Sequence, residues 1–199
     1  MADSHGDPEA IAAGALFLKR QGCTALYHLG DICDSNRRET ADACVAKMKG
    51  LSIAAVKGNN DHTLAADARG RSDGGIRPAT IAFLENLPLS LEVAGAKLVH
   101  SRPFVRRLGL SAMIGVMGSR EATSFFRENP GGLLFRGHSH RPEMISAEKD
   151  GIRFSTLPAG QAIELTGYRP CILTCGALTL GFVMIWEPES DRLTCCAFR

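Results

Sequence analysis

Hydrophobic and polar positions alternate along the chain between short apolar runs and longer stretches with helical spacing. The first helix is predicted to begin at Asp7-Pro8, because an aspartate N-cap followed by proline is a frequent helix start, and to end at Gly22. The same spacing predicts helices over residues 36–49 and 78–87, and buried strands over residues 24–29 and 52–56. Helices that alternate with short buried strands favour an α/β layered fold.

The second half of the chain carries strand patterns that lie closer together, which is typical of antiparallel pairing. Residues 103–128 are predicted to be helical with interruptions at glycines, and residues 143–157 to form a hairpin. Further strands are predicted over Leu89–Val93, Lys97–His100, Leu133–Phe135, 178–186 and 192–198. The whole pattern predicts an α/β fold, a two-sheet β-sandwich flanked by helices, in a single domain over residues 1–199.

Composition and charge are those of an ordinary globular protein and argue against several other classes. The 199 residues carry a net charge of +2, so no specific nucleic-acid or membrane surface is indicated. No apolar run reaches the roughly 18 residues of a membrane span, and the chain does not start with a secretory-leader pattern. Seven cysteines at irregular spacings, without a C-x-x-C pair, indicate reduced thiols and a cytoplasmic location.

Five clusters of metal-ligand-type residues stand out, and all but the first follow an apolar run. Strand ends followed by glycine turns are where α/β sheets bind ligands, since glycine lets the backbone turn sharply and the next side chain project into the site. In chain order the clusters are Asp3-Ser4-His5, Gly30-Asp31-Ile32-Cys33-Asp34, Gly58-Asn59-Asn60-Asp61, His100 and Gly137-His138-Ser139-His140.

The donor types in these clusters point to a catalytic metal centre. Carboxylate, amide and imidazole donors without thiolates suit divalent ions such as manganese, with iron, nickel or zinc as alternatives, rather than a structural zinc site. Asp3 and His5 are two residues apart and point to one side of an extended chain, and His138 and His140 repeat that spacing. A two-metal centre needs a bridging carboxylate, and Asp31 is the natural bridge because it follows a glycine turn.

In this order the motifs resemble the signature of the calcineurin-like metallophosphoesterase superfamily: D-x-H, G-D-x-x-D, G-N-x-D, a lone histidine and G-H-x-H. The compact spacing is similar to that of small bacterial and archaeal phosphodiesterases. The resemblance implies hydrolysis of phosphoester bonds, above all phosphodiesters, by a metal-bound hydroxide at a binuclear site. It also implies one metal held by Asp3, His5, Asp31 and His140 and a second held by Asp31, Asn59, His100 and His138.

Three further side chains in these motifs are candidates for a catalytic or supporting role. Asn60 stands where many relatives have a histidine thought to protonate the leaving group, and its amide has no readily titrated proton. Asn60 and Asp61 are predicted as catalytic-site residues, and Asp34 as a residue that orients a ligand through a hydrogen bond. For both aspartates, capping of a turn is an equal alternative.

Two further departures from the family pattern concern the substrate and the fold. Ser35 follows G-D-x-x-D where protein phosphatases have a phosphate-binding arginine, which argues against that branch. Relatives also carry a buried apolar strand before D-x-H, whereas only Met1-Ala2 precede Asp3 here. The first strand is therefore predicted to be missing or truncated, unless another segment fills its place.

Two other functions remain open. The small subunit of retromer resembles this fold and acts as a protein-binding scaffold with a degraded metal site, but the full set of seven ligand types here favours an enzyme. A nucleotide polyphosphate hydrolase on the same fold is also open, because substrate-binding loops vary freely. The predicted partner is a small-molecule phosphoester, and homo-oligomerisation is left open.

Overall fold

The computed structural model describes residues 1–68 and 75–198, and its helices include the three predicted in the first half. The first helix begins where expected, because the Asp7 carboxylate accepts a hydrogen bond from the Ala10 N–H at 2.8 Å. The helices are α1 Pro8–Arg20, α2 Ala41–Gly50, α3 Asn59–Ala68, α4 Pro78–Asn86, α5 Val105–Leu108 and α6 Ser119–Glu128. Across the described ranges, none of the helices has the length and apolar character of a membrane span.

The strands of the described residues form three hydrogen-bonded sheets. The largest has the order β3-β4-β5-β9-β6-β7, in which β4, β5 and β9 run parallel, and the others are β10-β11-β8 and the parallel pair β1-β2. The strands are β1 Tyr27–His28, β2 Ala54–Ala55, β3 Ser90–Val93, β4 Ala96–Val99, β5 Leu133–Arg136, β6 Glu143–Glu148, β7 Gly151–Thr156, β8 Ala162–Glu164, β9 Cys171–Thr174, β10 Phe182–Glu187 and β11 Arg192–Ala197.

Apolar side chains hold these sheets together as packed layers. Phe135 of the six-stranded sheet lies in one buried cluster with Leu29, which directly follows β1, and Leu193 of β11. Helices cover the outer faces: α1 and α2 pack on the side of the smaller sheets, and Phe125 of α6 packs against Ile172 of the six-stranded sheet. The predicted sandwich flanked by helices is confirmed, with one of its layers divided into two sheets.

The segment Met1–Asp3 occupies the place of a strand, although it is too short to be assigned as one. The Met1 ammonium donates to Tyr27 O at 2.9 Å, and the Leu29 N–H donates to Met1 O at 2.8 Å. On its other side, Ala2 O accepts the Leu178 N–H at 2.8 Å. These residues therefore connect β1 to the segment that leads into β10.

Three local predictions differ from the structure. Neither β8 nor β9 was predicted: β9 is buried at all four positions, so it lacks the alternation that marks a half-buried strand. The G-N-N-D turn continues into α3, which buries Leu64, Ala65 and Ala68. The strand predicted over residues 178–186 begins only at Phe182, because Leu178–Leu180 forms a 3₁₀ turn. The helical stretch predicted over residues 103–128 is confirmed with its interruptions at glycines, since it divides into α5, a 3₁₀ helix and α6.

Candidate metal centre

The predicted ligand motifs meet at one edge of the sandwich, just beyond the carboxyl ends of strands. The parallel pairs β1-β2 and β4-β5 each place two carboxyl ends at this edge. The Asp3 N–H donates to Gly30 O at 3.1 Å, which brings the first motif beside the second. The residues that follow the strand ends are Asp31 after β1, Asn59 after β2, His100 after β4, and His138 and His140 after β5.

Five of the seven predicted ligands have a left-handed backbone conformation. Residues other than glycine rarely adopt positive φ, and such strain persists where the surrounding structure enforces it, commonly at functional sites. The φ angles are 54° at Asp3, 44° at His5, 55° at Asp31, 69° at His138 and 61° at His140. The backbone therefore bends sharply at these residues, which is how short motifs from distant parts of the chain converge.

Two glycines permit the closest approach between the motifs. A Cβ atom on Gly58 would overlap the backbone nitrogen and Oδ1 of Asp31. A Cβ atom on Gly30, whose φ is 87°, would lie 2.7 Å from both Gly58 N and His100 Nδ1. Non-bonded atoms do not approach this closely, so a side chain at either position would push the motifs apart. Both positions therefore require glycine because of the close approach and not only because of its conformational freedom.

The first group of candidate ligands combines Asp3, His5 and His140. His5 Nε2 lies 2.9 Å from His140 Nε2, which lies 3.7 Å from Asp3 Oδ1. All three ligand atoms fall within 4.8 Å of one another. An ion with metal–ligand distances of about 2.0–2.2 Å fits among atoms at this spacing.

The second group combines Asp3, Asp31 and His100. His100 Nδ1 lies 2.7 Å from Leu29 O, and because a carbonyl oxygen only accepts, Nδ1 carries the hydrogen and Nε2 keeps its lone pair. That Nε2 atom lies 3.5 Å from Asp31 Oδ1, 3.1 Å from Asn59 Oδ1 and 3.2 Å from His138 Nδ1. Acceptor atoms that face one another in this way repel unless a cation lies among them, so the donor set fits a divalent metal ion.

Asp3 is the acid common to both groups, whereas Asp31 was predicted as the bridge. Asp31 accepts two hydrogen bonds from Asn60, at 2.9 Å from the backbone N–H to Oδ1 and at 2.8 Å from Nδ2 to Oδ2. Each carboxylate oxygen has a second lone pair, so these bonds leave Asp31 able to contact a cation. A bridging role for Asp31 stays a prediction, and Asp3 joins it as a second candidate.

Burial shapes the protonation of the site. Burial and the neighbouring Asp31 carboxylate raise the pKa of Asp3 well above its usual range. Burial also lowers the pKa of His100. Burial and the neighbouring histidines lower the pKa of His138 to about 4 and lower the pKa of His140. The imidazoles are therefore held in the neutral form that ligates metals, and a bound cation would relieve the repulsion between the two carboxylates.

The other predicted site residues lie beside the ligands. Asn60 Oδ1 accepts from Ser35 Oγ at 3.0 Å, so both ends of the Asn60 amide are engaged. Asp61 is fully buried and accepts from Cys33 N at 2.9 Å and from Gly58 N at 3.0 Å, which ties the two glycine turns together. Burial and the Asp31 carboxylate raise the pKa of Asp61 to about 7. Asp34 accepts a hydrogen bond from the Asn36 N–H at 2.8 Å. This contact caps a turn, which was the alternative to a role in orienting a metal ligand.

The sequence motifs did not reveal Arg136, the last residue of β5, which lies behind the metal-ligand loops. Its guanidinium donates from Nε to Ser101 O at 3.0 Å and from Nη1 to Ser139 Oγ at 2.9 Å and Thr174 Oγ1 at 3.1 Å. Only 1% of the residue is exposed, and Nη2 has no hydrogen-bond partner among the described residues. Its position directly before G-H-S-H, at the end of an apolar run, is the signal that could have identified it.

Ser4 and His28 form a second buried contact that the motif pattern does not specify. Ser4 Oγ donates to Ile32 O at 3.0 Å, so His28 Nε2, 3.0 Å away, carries a hydrogen and donates to Ser4 Oγ. Burial lowers the pKa of His28 well below its usual range, which keeps the ring neutral. This contact fixes the turn between Asp3 and His5 onto β1.

Residues 1–162 match the model of the calcineurin-like phosphoesterase superfamily domain. The chain belongs to this superfamily. The matched range includes all five sequence motifs of this chain. No curated protein sequence matches the chain.

Solved structures show the same fold. The metallophosphoesterase from Sphaerobacter thermophilus is similar over 100% of this chain and 86% of its own, with 21% identity and a TM-score of 0.78. The protein TT1561 of Thermus thermophilus is similar over 100% of this chain and 97% of its own, with 13% identity. A candidate diadenosine tetraphosphatase is similar over 98% of this chain and 91% of its own, with 15% identity. Both of these have a TM-score of 0.56. At such identities the likeness establishes the calcineurin-like fold and not the substrate.

Proposed function

We propose that this calcineurin-like phosphoesterase domain is an enzyme that hydrolyses phosphodiesters at a binuclear centre, with manganese as the preferred metal. The observation that carries the proposal is the pair of overlapping ligand groups, Asp3-His5-His140 and Asp3-Asp31-His100, at one strand edge. A protein-binding scaffold has no need for buried acceptor atoms that converge in this way, so these groups support an enzyme over a scaffold.

The residues proposed to hold the ions are Asp3, His5, Asp31, Asn59, His100, His138 and His140. When bound, divalent ions supply Lewis-acid chemistry, which lowers the pKa of water and neutralises charge on phosphoryl oxygens. The protein fixes the ligands in advance: Leu29 O sets the His100 tautomer, and Asp61 holds the turns that carry Asp31 and Asn59. Such preorganisation reduces the reorganisation needed during the reaction.

Asn60 supports a preference for activated phosphodiesters. A leaving oxygen of high pKa needs a proton, and general acid catalysis contributes about 10²–10⁴ in rate. The Asn60 amide has no readily titrated proton to give, and both of its ends are engaged: Nδ2 donates to Asp31 and Oδ1 accepts from Ser35. An aryl leaving group departs without a proton, so the expected substrates are aryl diesters rather than alkyl monoesters.

The metal requirement is tested by metal analysis. Protein purified without chelator and soaked in manganese is expected to bind about two ions per chain, because two ligand groups are present. Asp31→Asn is expected to lose most of this binding while remaining folded by circular dichroism. Well-folded wild-type protein with almost no bound manganese would contradict the proposal.

The substrate preference is tested with aryl and alkyl diesters, alkyl monoesters and diadenosine tetraphosphate. The expected order of kcat/KM places bis-p-nitrophenyl phosphate well above the alkyl monoesters. Asn60→His is expected to help poor leaving groups more than good ones, which flattens a plot of log kcat/KM against leaving-group pKa. Equal slopes in the two proteins would remove Asn60 from the leaving-group position, and fastest turnover of diadenosine tetraphosphate would favour a nucleotide polyphosphate hydrolase.

A further inference from the structure

The six-stranded sheet ends at β7 (Gly151–Thr156), which has no neighbouring strand on its outer side in the described part of the chain. β7 pairs with β6 residue by residue along its whole length, without a bulge, and it contains neither proline nor lysine. Natural edge strands are commonly bulged, shortened or interrupted by such residues, because an unpaired edge can pair with another chain. β7 is therefore an open edge of the sheet.

The hydrogen bonds to β6 show which backbone groups of β7 face outward. At the end of this ladder the Leu157 N–H donates to Pro142 O at 3.1 Å, so the backbone of Leu157 bonds inward. In an antiparallel pair the backbone groups of successive residues point to opposite sides of the strand, so Ser155 and Arg153 bond inward as well. The residues whose N–H and C=O groups face outward are Ile152, Phe154 and Thr156.

The side chains of β7 make this edge apolar at its centre and balanced in charge. Phe154 is 42% exposed and lies opposite Ile145 of β6, which packs on the α6 face of the sheet. Arg153 is the one charged residue of the strand, and its side chain points to the other face and pairs with Glu148 at 2.9 Å. The edge therefore offers an exposed aromatic side chain and no unpaired charge.

This edge is complementary to itself, because its outward-facing residues are spaced evenly about Phe154. A two-fold axis through Phe154 places it opposite the second copy's Phe154, and it places Ile152 opposite the second copy's Thr156. Each outward N–H group of one copy then meets an outward C=O group of the other, so no group of either edge is left without a partner. Aromatic pairs and pairs of β-branched side chains across strands also stabilise a sheet.

We propose that β7 is a dimer interface, at which two copies of this chain pair antiparallel with Phe154 on the two-fold axis. The two six-stranded sheets then form one continuous sheet, with both α6 helices on the same face. A second copy fits this edge because a two-fold dimer requires a self-complementary surface. Pairing through one short strand buries less area than a standard interface, so the dimer is expected to dissociate in the micromolar range.

The dimer does not depend on the proposed function. β7 ends beside the sheet edge that carries the metal-ligand loops, since β6 begins shortly after His140 and runs antiparallel to β7. Antiparallel pairing of two β7 strands therefore places the two candidate metal centres at opposite edges of the joined sheet. Neither copy contributes a residue to the other's centre, so loss of the dimer is expected to leave metal binding unchanged.

Sedimentation equilibrium of the full chain at increasing concentration measures the dimer. Phe154→Lys removes the aromatic pair and places like charges opposite each other, so the dissociation constant is expected to rise about tenfold or more. Leu180→Lys is the matched control, because Leu180 is 58% exposed and lies in the turn before β10. Its dissociation constant should equal that of the wild type, and circular dichroism should show both variants folded.

Amide hydrogen exchange at low and high protein concentration identifies the surface that pairs. Dimer formation is expected to slow exchange at Ile152, Phe154 and Thr156. The amides of Arg153 and Ser155 should not change, because they already bond to β6. This alternation distinguishes strand pairing from burial of the same region by another contact.

Four results would overturn the proposal. The first is a wild-type chain that stays monomeric at millimolar concentration, and the second is a dimer that Phe154→Lys leaves equally strong. The third is a dimer whose exchange pattern lacks the alternation along β7. The fourth is slower exchange at Phe154 only when an unrelated extended peptide is added, because the partner of this edge would then not be a second copy.

Discussion

At the scale of single residues, backbone conformation shapes the candidate metal centre as much as side-chain identity does. Asp3, Asp31 and His138 hold their positive φ angles because neighbouring motifs bind their backbone: the His138 N–H, for example, donates to Asp3 Oδ2 at 3.0 Å. Strained residues of this kind persist only within a network of contacts that over-determines them. Disturbing a contact between two motifs should therefore affect metal binding more than global stability.

Gly58 gives the sharpest test of this idea. In Gly58→Ala the new methyl group would overlap Asp31, so Asp31 or the G-N-N-D turn must move. We expect manganese affinity to fall by about 10- to 100-fold, as for disruption of a contact that orients metal ligands. Isothermal titration of the chelator-treated protein measures this change.

Gly50→Ala is the matched control, since a Cβ atom on Gly50 would meet nothing within 4 Å. It lies in α2, where alanine is the better helix former. Its manganese affinity should equal that of the wild type. If Gly58→Ala also binds manganese normally, the close approach of the two turns does not matter for the metal centre.

The residue types of the site were predictable, and their neighbours were not. Glycine turns after apolar runs identified Asp31, Asn59 and His138 from local sequence alone, although metal binding by each of them stays a prediction. Arg136 could not be assigned in this way, because its partners Ser101 and Thr174 are distant in sequence. They meet Arg136 only because β5 lies between β4 and β9.

At the scale of elements, the six-stranded sheet shows why strand order escaped prediction. β9 runs parallel to β5 and antiparallel to β6, and it is buried at every position. An apolar run of four residues does not distinguish a central strand from a helix segment. The helices were easier to predict, since α1 and α4 carry proline at the start, as the sequence indicated.

Arg136 links the ends of three neighbouring strands and is expected to position the metal-ligand loops. Arg136→Met removes the donors to Ser101 O, Ser139 Oγ and Thr174 Oγ1. Leaving buried acceptors without partners costs about 1–3 kcal/mol, so the free energy of unfolding should fall by that amount. Manganese affinity should also fall, because Ser139 lies between His138 and His140. Urea unfolding and metal titration provide the two measurements.

Arg153→Met is a control for the loss of an arginine, since Arg153 pairs with Glu148 at the surface at 2.9 Å. Exposed ion pairs contribute little, so both measured quantities should stay close to wild type. Arg136→Lys keeps the charge with fewer fixed donors and should lie between wild type and Arg136→Met. Lower stability in Arg136→Met with unchanged metal affinity would limit Arg136 to a role in folding.

At the scale of the whole molecule, the predicted sandwich is present, and its two layers are joined away from the metal centre by Arg169 and Asp191. Asp191 lies in the turn between β10 and β11, and Arg169 leads into β9 of the six-stranded sheet. Their bidentate contact has both N–O distances at 2.7 Å, and Trp186 Nε1 donates to Asp191 Oδ1 at 3.3 Å. No sequence pattern predicted this pair, because it depends on how the two sheets pack.

The Arg169–Asp191 contact predicts a specific dependence of stability on pH. The hydrogen bond from Arg169 holds the pKa of Asp191 below its usual range, with further lowering from Trp186 and Thr166. Between the folded and unfolded pKa values the unfolded chain binds more protons, so stability rises with pH in that interval. The contribution is complete above the unfolded aspartate pKa of about 3.9 and is lost as the pH falls through the lower folded value.

Asp191→Asn, which tolerates the positive φ of 51° at this turn, lacks the charge at every pH. We therefore expect Asp191→Asn to be less stable than wild type at pH 7, by a margin in unfolding free energy that narrows steadily below pH 4. Urea unfolding of both proteins across this range measures the margin, and a margin independent of pH would show that the Asp191 charge does not join the two layers.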